Sequence, residues 1–373
     1  MDLALRLARR GLGTVAPNPA VGCVVVATDG PVSGYNNSHI IGRGWTRAGG
    51  RPHAETQALD QAKTLYGSEA IKGTCVYVTL EPCSHKGKTP PCAAALVEAR
   101  IGRLVVAVRD PDPRVSGRGL EIASKAGIQV SEGVARAAAE RLNEGFFRRI
   151  ADRRPMVTWK TATSLDGRIA TRARDSQWIT GAAARRRAHL MRAEHDAVMV
   201  GAETAILDNP QLTCRLPGLE AFARPRIVID TRLRLPLTSE LVIGARNTPT
   251  IVVCVSGGDR ARRKAYEQAG VTLVDADKDG QGRVDLTDAL IRLGELGITR
   301  ALVEGGAELV AGLMRADLID RIAWFRSPAM IGGDGLPATG PLGVDAVDLA
   351  RRWLLVDAVR YGDDILETYD RMA

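Results

Sequence analysis

The sequence predicts two α/β domains in tandem, and three observations predict it. Its 373 residues exceed what one hydrophobic core ordinarily organises. Short apolar, β-branched runs alternate with helix-period segments along almost the whole length, the pattern of layered α/β folds. One charged joint, Arg149-Ile-Ala-Asp-Arg-Arg-Pro155, follows a long helical run and closes on a proline, which disfavours helix at the residue before it. The joint divides residues 1–150 from residues 151–373.

Within the first domain, residues 2–10 carry charge and apolar side chains at helical spacing. Residues 21–27, 74–80, 104–108 and 129–130 are apolar and rich in valine, and read as strands. Helical periodicity covers 53–66, 92–99, 119–126 and 134–150. Residues 30–50 form a Gly/Asn/Ser-rich excursion and are expected to be a loop. In the second domain, 156–161, 197–200, 226–229, 250–255, 271–274, 301–303 and 322–325 read as strands. Residues 182–193, 259–269, 286–296 and 308–316 read as helices, and 276–283 as a polar, glycine-containing loop.

The composition excludes several classes. At 45% hydrophobic and 25% charged residues the chain matches an ordinary globular protein. No apolar run approaches bilayer length, and the charged N-terminus lacks the core of a secretory signal. Six cysteines in a chain this long give no disulfide framework, so a reducing cytoplasm is expected. The net charge of +8 admits nucleic acid or small phosphorylated ligands as partners. Scattered basic clusters and only 4% aromatics argue against stacking platforms for single strands, so no nucleic acid and no membrane partner is expected. A homo-oligomer is expected.

The chemistry concentrates at His53-Ala54-Glu55, Pro82-Cys83 and Pro91-Cys92. One histidine and two thiolates form a three-ligand zinc set that leaves a fourth position for water. Cys92 opens a helical run, where a thiolate is favoured. Glu55 is a proton carrier rather than a ligand in this signature. The bland alternative is a surface histidine and two buried thiols. A structural zinc site is another; it needs a fourth ligand, for which His85 is the nearby candidate, and it leaves Glu55 idle. Nucleic-acid and cytidine-type deaminases space their cysteines by two residues; here eight intervene.

That insert carries a resemblance. Thr79-Leu-Glu-Pro-Cys-Ser-His-Lys-Gly-Lys-Thr-Pro-Pro-Cys92 resembles the deaminase domain of the bifunctional riboflavin-biosynthesis deaminase/reductases, as do Pro17-Asn-Pro-Ala-Val-Gly22 and Asp110-Pro-Asp-Pro-Arg-Val-Ser-Gly-Arg-Gly119. Ser164-Leu-Asp-Gly-Arg168, Ser176-Gln-Trp-Ile-Thr180, Asp208-Asn-Pro-Gln-Leu-Thr213, Ile227-Val-Ile-Asp230 and Val303-Glu-Gly-Gly306 resemble the reductase half of the same family. The resemblance implies a cytidine-deaminase-like three-layer N-terminal domain and a dihydrofolate-reductase-like α/β C-terminal domain. It implies one zinc per chain on His53, Cys83 and Cys92, NADPH as second cofactor, and a phosphorylated pyrimidine as substrate.

Residue by residue, the resemblance gives Asn18 and Lys88 to the deaminase substrate. It gives Ala162, Trp178, Thr204, Asp208, Thr231 and the run Gly306, Ala307, Glu308, Leu309, Val310, Ala311 and Gly312 to NADPH. Ser176, Arg192, Leu212, Arg215 and Glu304 fall to the reductase substrate, with Lys160 and Asp208 beside Glu55 as the catalytic set. Without the resemblance, Glu304-Gly-Gly-Ala-Glu308 reads equally as a pyrophosphate cradle or an ordinary strand-to-helix turn, Arg192 as a solvated helix face, and Asp166-Gly167 as a turn. The chain departs from the family at Asp112, where relatives often carry asparagine, and at Ser327-Pro-Ala-Met-Ile-Gly332, which lacks a common lysine. Gly11-Leu-Gly-Thr-Val-Ala16 fits a dinucleotide fingerprint in letters only, since no strand precedes it. The rival reading is a nucleoside or nucleic-acid zinc deaminase with a C-terminal binding module.

Overall fold

A computed structural model describes residues 1–28, 38–85, 90–113, 115–219 and 224–372. The chain separates into two compact units, Met1–Asp152 and Arg153–Ala373.

The first unit is a five-stranded sheet in the order β2-β1-β3-β4-β5. Its strands are β1 (Gly22–Thr28), β2 (Ser38–Trp45), β3 (Cys75–Val78), β4 (Arg103–Val106) and β5 (Gln129–Glu132). β1 runs antiparallel to both neighbours, while β3, β4 and β5 are parallel. The helices are α1 (Asp2–Arg9), α2 (Ala54–Tyr66), α3 (Cys92–Glu98), α4 (Arg118–Lys125), α5 (Arg136–Leu142) and α6 (Glu144–Asp152). Side chains alternate across a strand, and the sheet uses both faces. Val24 and Tyr77 pack with Ala4 and Leu7 of α1, whereas Cys23, Val25 and Val76 pack with Ala54, Ala58 and Leu59 of α2. Helix, sheet and helix therefore form three layers.

β2 corrects the expectation of a loop across residues 30–50. Gly42 and Gly44 interrupt its apolar pattern, so it reads as a turn-rich segment. The glycines are there for packing: a Cβ at Gly44 would lie 2.1 Å from the Ala54 carbonyl of α2. Residues 134–150 likewise contain two helices, broken at Asn143. Its backbone leaves the helical region (φ −100°, ψ 17°), and its side chain exchanges hydrogen bonds with Ala20 N–H and C=O, both at 2.9 Å.

The second unit is a nine-stranded sheet in the order β11-β10-β9-β8-β12-β6-β13-β16-β15. The strands are β6 (Met156–Thr163), β7 (Arg168–Ala170), β8 (Ala197–Gly201), β9 (Arg226–Ile229), β10 (Thr250–Val255), β11 (Thr272–Ala276), β12 (Arg300–Glu304), β13 (Arg321–Arg326), β14 (Leu336–Pro337), β15 (Trp353–Tyr361) and β16 (Asp364–Arg371). The seven from β11 to β13 are parallel, and β16 and β15 continue antiparallel as a C-terminal hairpin. β7 and β14 form a separate small pair. The helices are α7 (Ala182–Glu194), α8 (Ala202–Asp208), α9 (Glu240–Ile243), α10 (Arg260–Ala269), α11 (Leu286–Glu295) and α12 (Ala307–Arg315). Central strands buried on both faces read as continuous apolar runs, which is why β8, β9, β10 and β12 were legible. The hairpin was not: its outer strand is exposed along most of its length and mixes apolar with charged residues.

Buried polar groups fix where the strands begin. Asp320 accepts both Arg154 guanidinium nitrogens at 2.7 and 2.8 Å and the Val157 N–H at 2.8 Å. Asp196 Oδ2 accepts from the Thr299 N–H and hydroxyl and from the Arg300 N–H. Asp196 thus ties the start of β8 to that of β12, and Asp320 ties the start of β13 to that of β6.

Candidate active sites

The first site forms where α2, the turn after β3 and α3 meet. His53 is the N-cap of α2, one residue outside the helix, and Cys92 is the first residue of α3. His53 Nδ1 lies 3.2 Å from Cys92 Sγ and 3.6 Å from Cys83 Sγ, and the three donor atoms lie within 4.8 Å of one another. Donors at ordinary zinc distances in a tetrahedron sit roughly 3.5–3.8 Å apart, so this donor set fits a zinc ion. Among the described residues, no fourth metal-binding side chain joins the group, as an open catalytic site requires and a structural site does not. Cys83 also receives the Cys92 N–H at 3.3 Å. The Cys92 side chain, then His53 and that N–H, hold the Cys83 thiol down at about 4, ready as a thiolate.

Glu55 is 3% exposed, in the first turn of α2. Burial pushes its carboxyl up to about 7, which poises it to take and return a proton near neutral pH. Asn18 lies against the loop that leads into His53. A Cβ at Gly50, where φ is +84°, would fall 2.1 Å from Asn18 Nδ2, so only glycine permits the approach. Lys88 lies outside the described residues.

Glu81 carries part of this site and was not singled out in the sequence. It is 3% exposed and accepts the backbone N–H groups of Asp110, Gly117 and Gly119 at 3.3, 3.0 and 3.0 Å. It thereby ties the segment around Asp110 to the turn that bears Cys83. The signal available was a carboxylate ending an apolar strand directly before Pro82-Cys83. Asp110 accepts the Asp112 N–H at 2.9 Å; burial raises its carboxyl to about 6.

The second site lies at the C-terminal ends of the parallel strands, where ligands bind in open α/β sheets. Register sets Lys160 of β6 beside Glu304 of β12. Glu304 accepts both Arg192 nitrogens from α7 at 2.6 and 2.9 Å, and Lys160 Nζ lies 3.7 Å away. Burial would raise the Glu304 carboxyl, but Arg192 and Lys160 hold it down at about 2. Arg192 is therefore no solvated face. Its third contact is the Thr213 carbonyl at 2.8 Å, one residue after Leu212. The Leu212 side chain belongs to the apolar core, which leaves only its backbone for a ligand. Arg215 is exposed nearby, and its N–H donates to His189 Nδ1 at 3.3 Å.

A cleft of about 850 Å³ opens beside this cluster, between the ends of β8, β9 and β12. Thr231, Gly306, Glu308, Leu309 and Gly312 line it, together with Arg232, Arg234, Arg283 and Arg315. Helical spacing explains which members of the 306–312 run face it; Val310 and Ala311 are fully buried on the core side. Gly305 and Gly306 both have φ +87°, a backbone that only glycine adopts readily, and both lie against Thr204. Four arginines, set among the carboxylates Glu203, Asp279, Asp285 and Glu308, and the bare Gly306 turn at the start of α12 fit a phosphate-bearing dinucleotide. The arginines at 232 and 234 were missed in the sequence, although Arg-Leu-Arg directly after a strand end was the signal.

Three expected residues are exposed. Trp178 is 65% exposed, with the Arg185 guanidinium 4.6 Å over its ring. Ser176 and Asp208 are exposed, Asp208 as the last residue of α8. Ala162 lies two residues beyond Lys160 on the same face of β6. Asp166 is a turn clip, accepting Ser164 Oγ and the Ile331 and Gly332 N–H groups.

The model of the cytidine and deoxycytidylate deaminase zinc-binding region matches residues 1–108, and that of the RibD C-terminal domain matches residues 155–366. The riboflavin biosynthesis protein RibD of Aquifex aeolicus is 37% identical over 372 residues, covering 100% of this chain and 97% of its own. The chain belongs to the RibD family. The RibD of Actinobacillus pleuropneumoniae is 37% identical over 370 residues, covering 99% and 94%. Among solved structures, Acinetobacter baumannii RibD superposes with a TM-score of 0.86 at 34% identity over 100% of this chain and 98% of that one. The Thermotoga maritima diaminohydroxyphosphoribosylaminopyrimidine deaminase/5-amino-6-(5-phosphoribosylamino)uracil reductase gives 0.84 at 33%, over 100% and 97%. This RibD-family chain is thus a bifunctional enzyme of riboflavin biosynthesis, a zinc-dependent deaminase joined to an NADPH-dependent reductase. A cytidine-deaminase-like fold precedes a dihydrofolate-reductase-like one. A nucleic-acid deaminase with a binding module leaves the match to the reductase half unexplained. No helix among the described residues is long and apolar enough to cross a membrane.

Proposed function

We propose that residues 1–150 hydrolyse an amino group from 2,5-diamino-6-(5-phosphoribosylamino)pyrimidin-4-one, and that residues 151–373 then reduce its ribosyl chain to ribityl. The observation that carries the reading is the His53, Cys83 and Cys92 donor triangle beside a buried Glu55. His53, Cys83 and Cys92 hold zinc, which when bound supplies an activated water. Glu55, with its carboxyl near 7, takes the water proton and returns it to the departing ammonia. Asn18 orients the pyrimidine, and Lys88 meets the phosphate.

In the reductase, NADPH supplies the hydride. Thr204, Thr231, Gly306 and Gly312 cradle it, with Ala162, Trp178, Asp208 and the remainder of the 306–312 run around it. Lys160, Arg192 and Arg215 set three cations against the single Glu304 carboxylate, a balance that favours a phosphorylated substrate. Lys160 and Asp208 orient and protonate the opened sugar, and Ser176 and the Leu212 backbone complete its pocket. The six unpaired cysteines support a cytoplasmic home. The outer edge of β15, with Leu354, Leu355 and Val356 exposed, supports association of copies into a homo-oligomer. Incubating the purified protein with the diaminopyrimidinone phosphate, with and without NADPH, tests the reading by product mass. Exchange of ammonia for water without NADPH, and that exchange plus two added hydrogens with NADPH, is expected. An unchanged substrate with zinc-loaded enzyme overturns it.

A further inference from the structure

His189 and Arg192 lie three residues apart on α7, so they leave the same face of the helix. Both reach one short segment. Arg192 Nη1 donates to the Thr213 carbonyl at 2.8 Å, and the Arg215 N–H donates to His189 Nδ1 at 3.3 Å. Cys214 between them is buried, and Leu212 before them is anchored in the core. The segment is therefore held at both ends by a single helix face. The Arg215 side chain is exposed, and among the described residues its guanidinium has no acidic partner. Arg192, in contrast, is committed to Glu304.

We infer that His189 is a positioning residue of the reductase, whose Nδ1 holds the Arg215 backbone so that the Arg215 guanidinium is presented to the substrate phosphate. The inference rests on the reading of Arg215 as a phosphate grip. Accepting at Nδ1 places the ring proton on Nε2 and leaves the ring neutral. Burial, then the Arg192 and Arg215 charges, lower the ring's pKa from its ordinary value, while Glu304 and the Thr213 backbone pull the other way. A protonated ring would turn a donor toward the Arg215 N–H and release the segment.

Asparagine and glutamine separate this role from mere filling of space. In His189→Asn the side-chain oxygen takes the place of Nδ1 and keeps the acceptor; in His189→Gln it lies one carbon further out. Steady-state reduction of the deaminated ribosyl phosphate is measured on the full chain for the parent, both variants and Arg215→Ala, with NADPH affinity from fluorescence titration. His189→Gln should raise KM for the phosphorylated substrate by about three- to tenfold, the worth of one neutral hydrogen bond. Its kcat should stay within about twofold, with NADPH affinity unchanged. His189→Asn should restore the parent KM, and Arg215→Ala should raise KM at least as far as His189→Gln. If Arg215→Ala leaves KM at the parent value, the phosphate-grip reading fails and takes the inference with it. If Arg215→Ala raises KM but both His189 variants behave alike, or His189→Gln loses kcat or NADPH affinity instead, the positioning role alone is overturned.

Discussion

Replacing Glu304 by glutamine removes the carboxylate that Arg192 and Lys160 share, while keeping the shape and one acceptor. The size of the loss follows from the site. Burial alone would raise this carboxyl, yet the two cations depress it from the ordinary 4.5 to about 2. At 1.36 kcal/mol per pH unit the depression is worth about 3 kcal/mol. The Glu304 side chain is 8% exposed, so solvent screens little of it. For a domain of this size about 3 kcal/mol corresponds to roughly 6–12 °C in Tm. A depressed pKa stabilises the fold above the unfolded value, and that contribution is lost as pH falls toward 2. The gap between parent and Glu304→Gln should therefore be full at pH 7 and smaller by roughly 1.4 kcal/mol at pH 3.5. Calorimetry of the full chain at both pH values reads it as the transition assigned to the C-terminal unit. A variant that melts with the parent at pH 7, or a gap that grows on acidification, would refute the reasoning.

Three further outcomes follow from the first unit. Cys83→Ser should lose zinc and deamination together by metal analysis and ammonia release, while Cys214→Ser keeps full zinc; zinc retained in Cys83→Ser would remove it from the ligand set. Burial raises the Asp110 carboxyl to about 6, so its charge costs stability as pH rises from about 3.8 to 6. Asp110→Asn should then melt about 3–6 °C higher at pH 7.5, allowing for solvent screening, with no gain at pH 3.5; an equal gain at both values would exclude the electrostatic cause. Gly44→Ala should be destabilised by more than about 2 kcal/mol and hold zinc less tightly, because the new methyl would meet the Ala54 carbonyl at the start of the zinc helix; parent-like denaturation would contradict that packing.

What the sequence made legible and what it hid divide along physical lines. Buried parallel strands announce themselves because both faces are apolar, so 226–229 and 250–255 coincide with β9 and β10. β2 stayed hidden because Gly42 and Gly44 serve the helix packed on it rather than the strand's own pattern. The C-terminal hairpin stayed hidden because β15 buries almost nothing. The zinc donors were legible because metal chemistry demands particular residue types in a fixed order. Glu81 and His189 were not, because they act on backbone N–H groups of distant segments, and no spacing in sequence reveals which amide a side chain will meet. The partition of Lys160, Arg192 and Glu304 into one cluster likewise depends on the β6–β12 register, which strand content alone does not specify.

The central claim is that each unit carries one reaction and that Glu55 serves only the first. The most direct measurement supplies the already deaminated ribosyl phosphate, with NADPH, to zinc-loaded Glu55→Gln and follows NADPH oxidation. The account predicts reduction at the parent rate, while deamination of the diamino precursor by the same preparation falls by about 100-fold or more, as expected for loss of a general acid/base. A Glu55→Gln enzyme that binds zinc but cannot reduce the intermediate, or one that still deaminates at the parent rate, would contradict it.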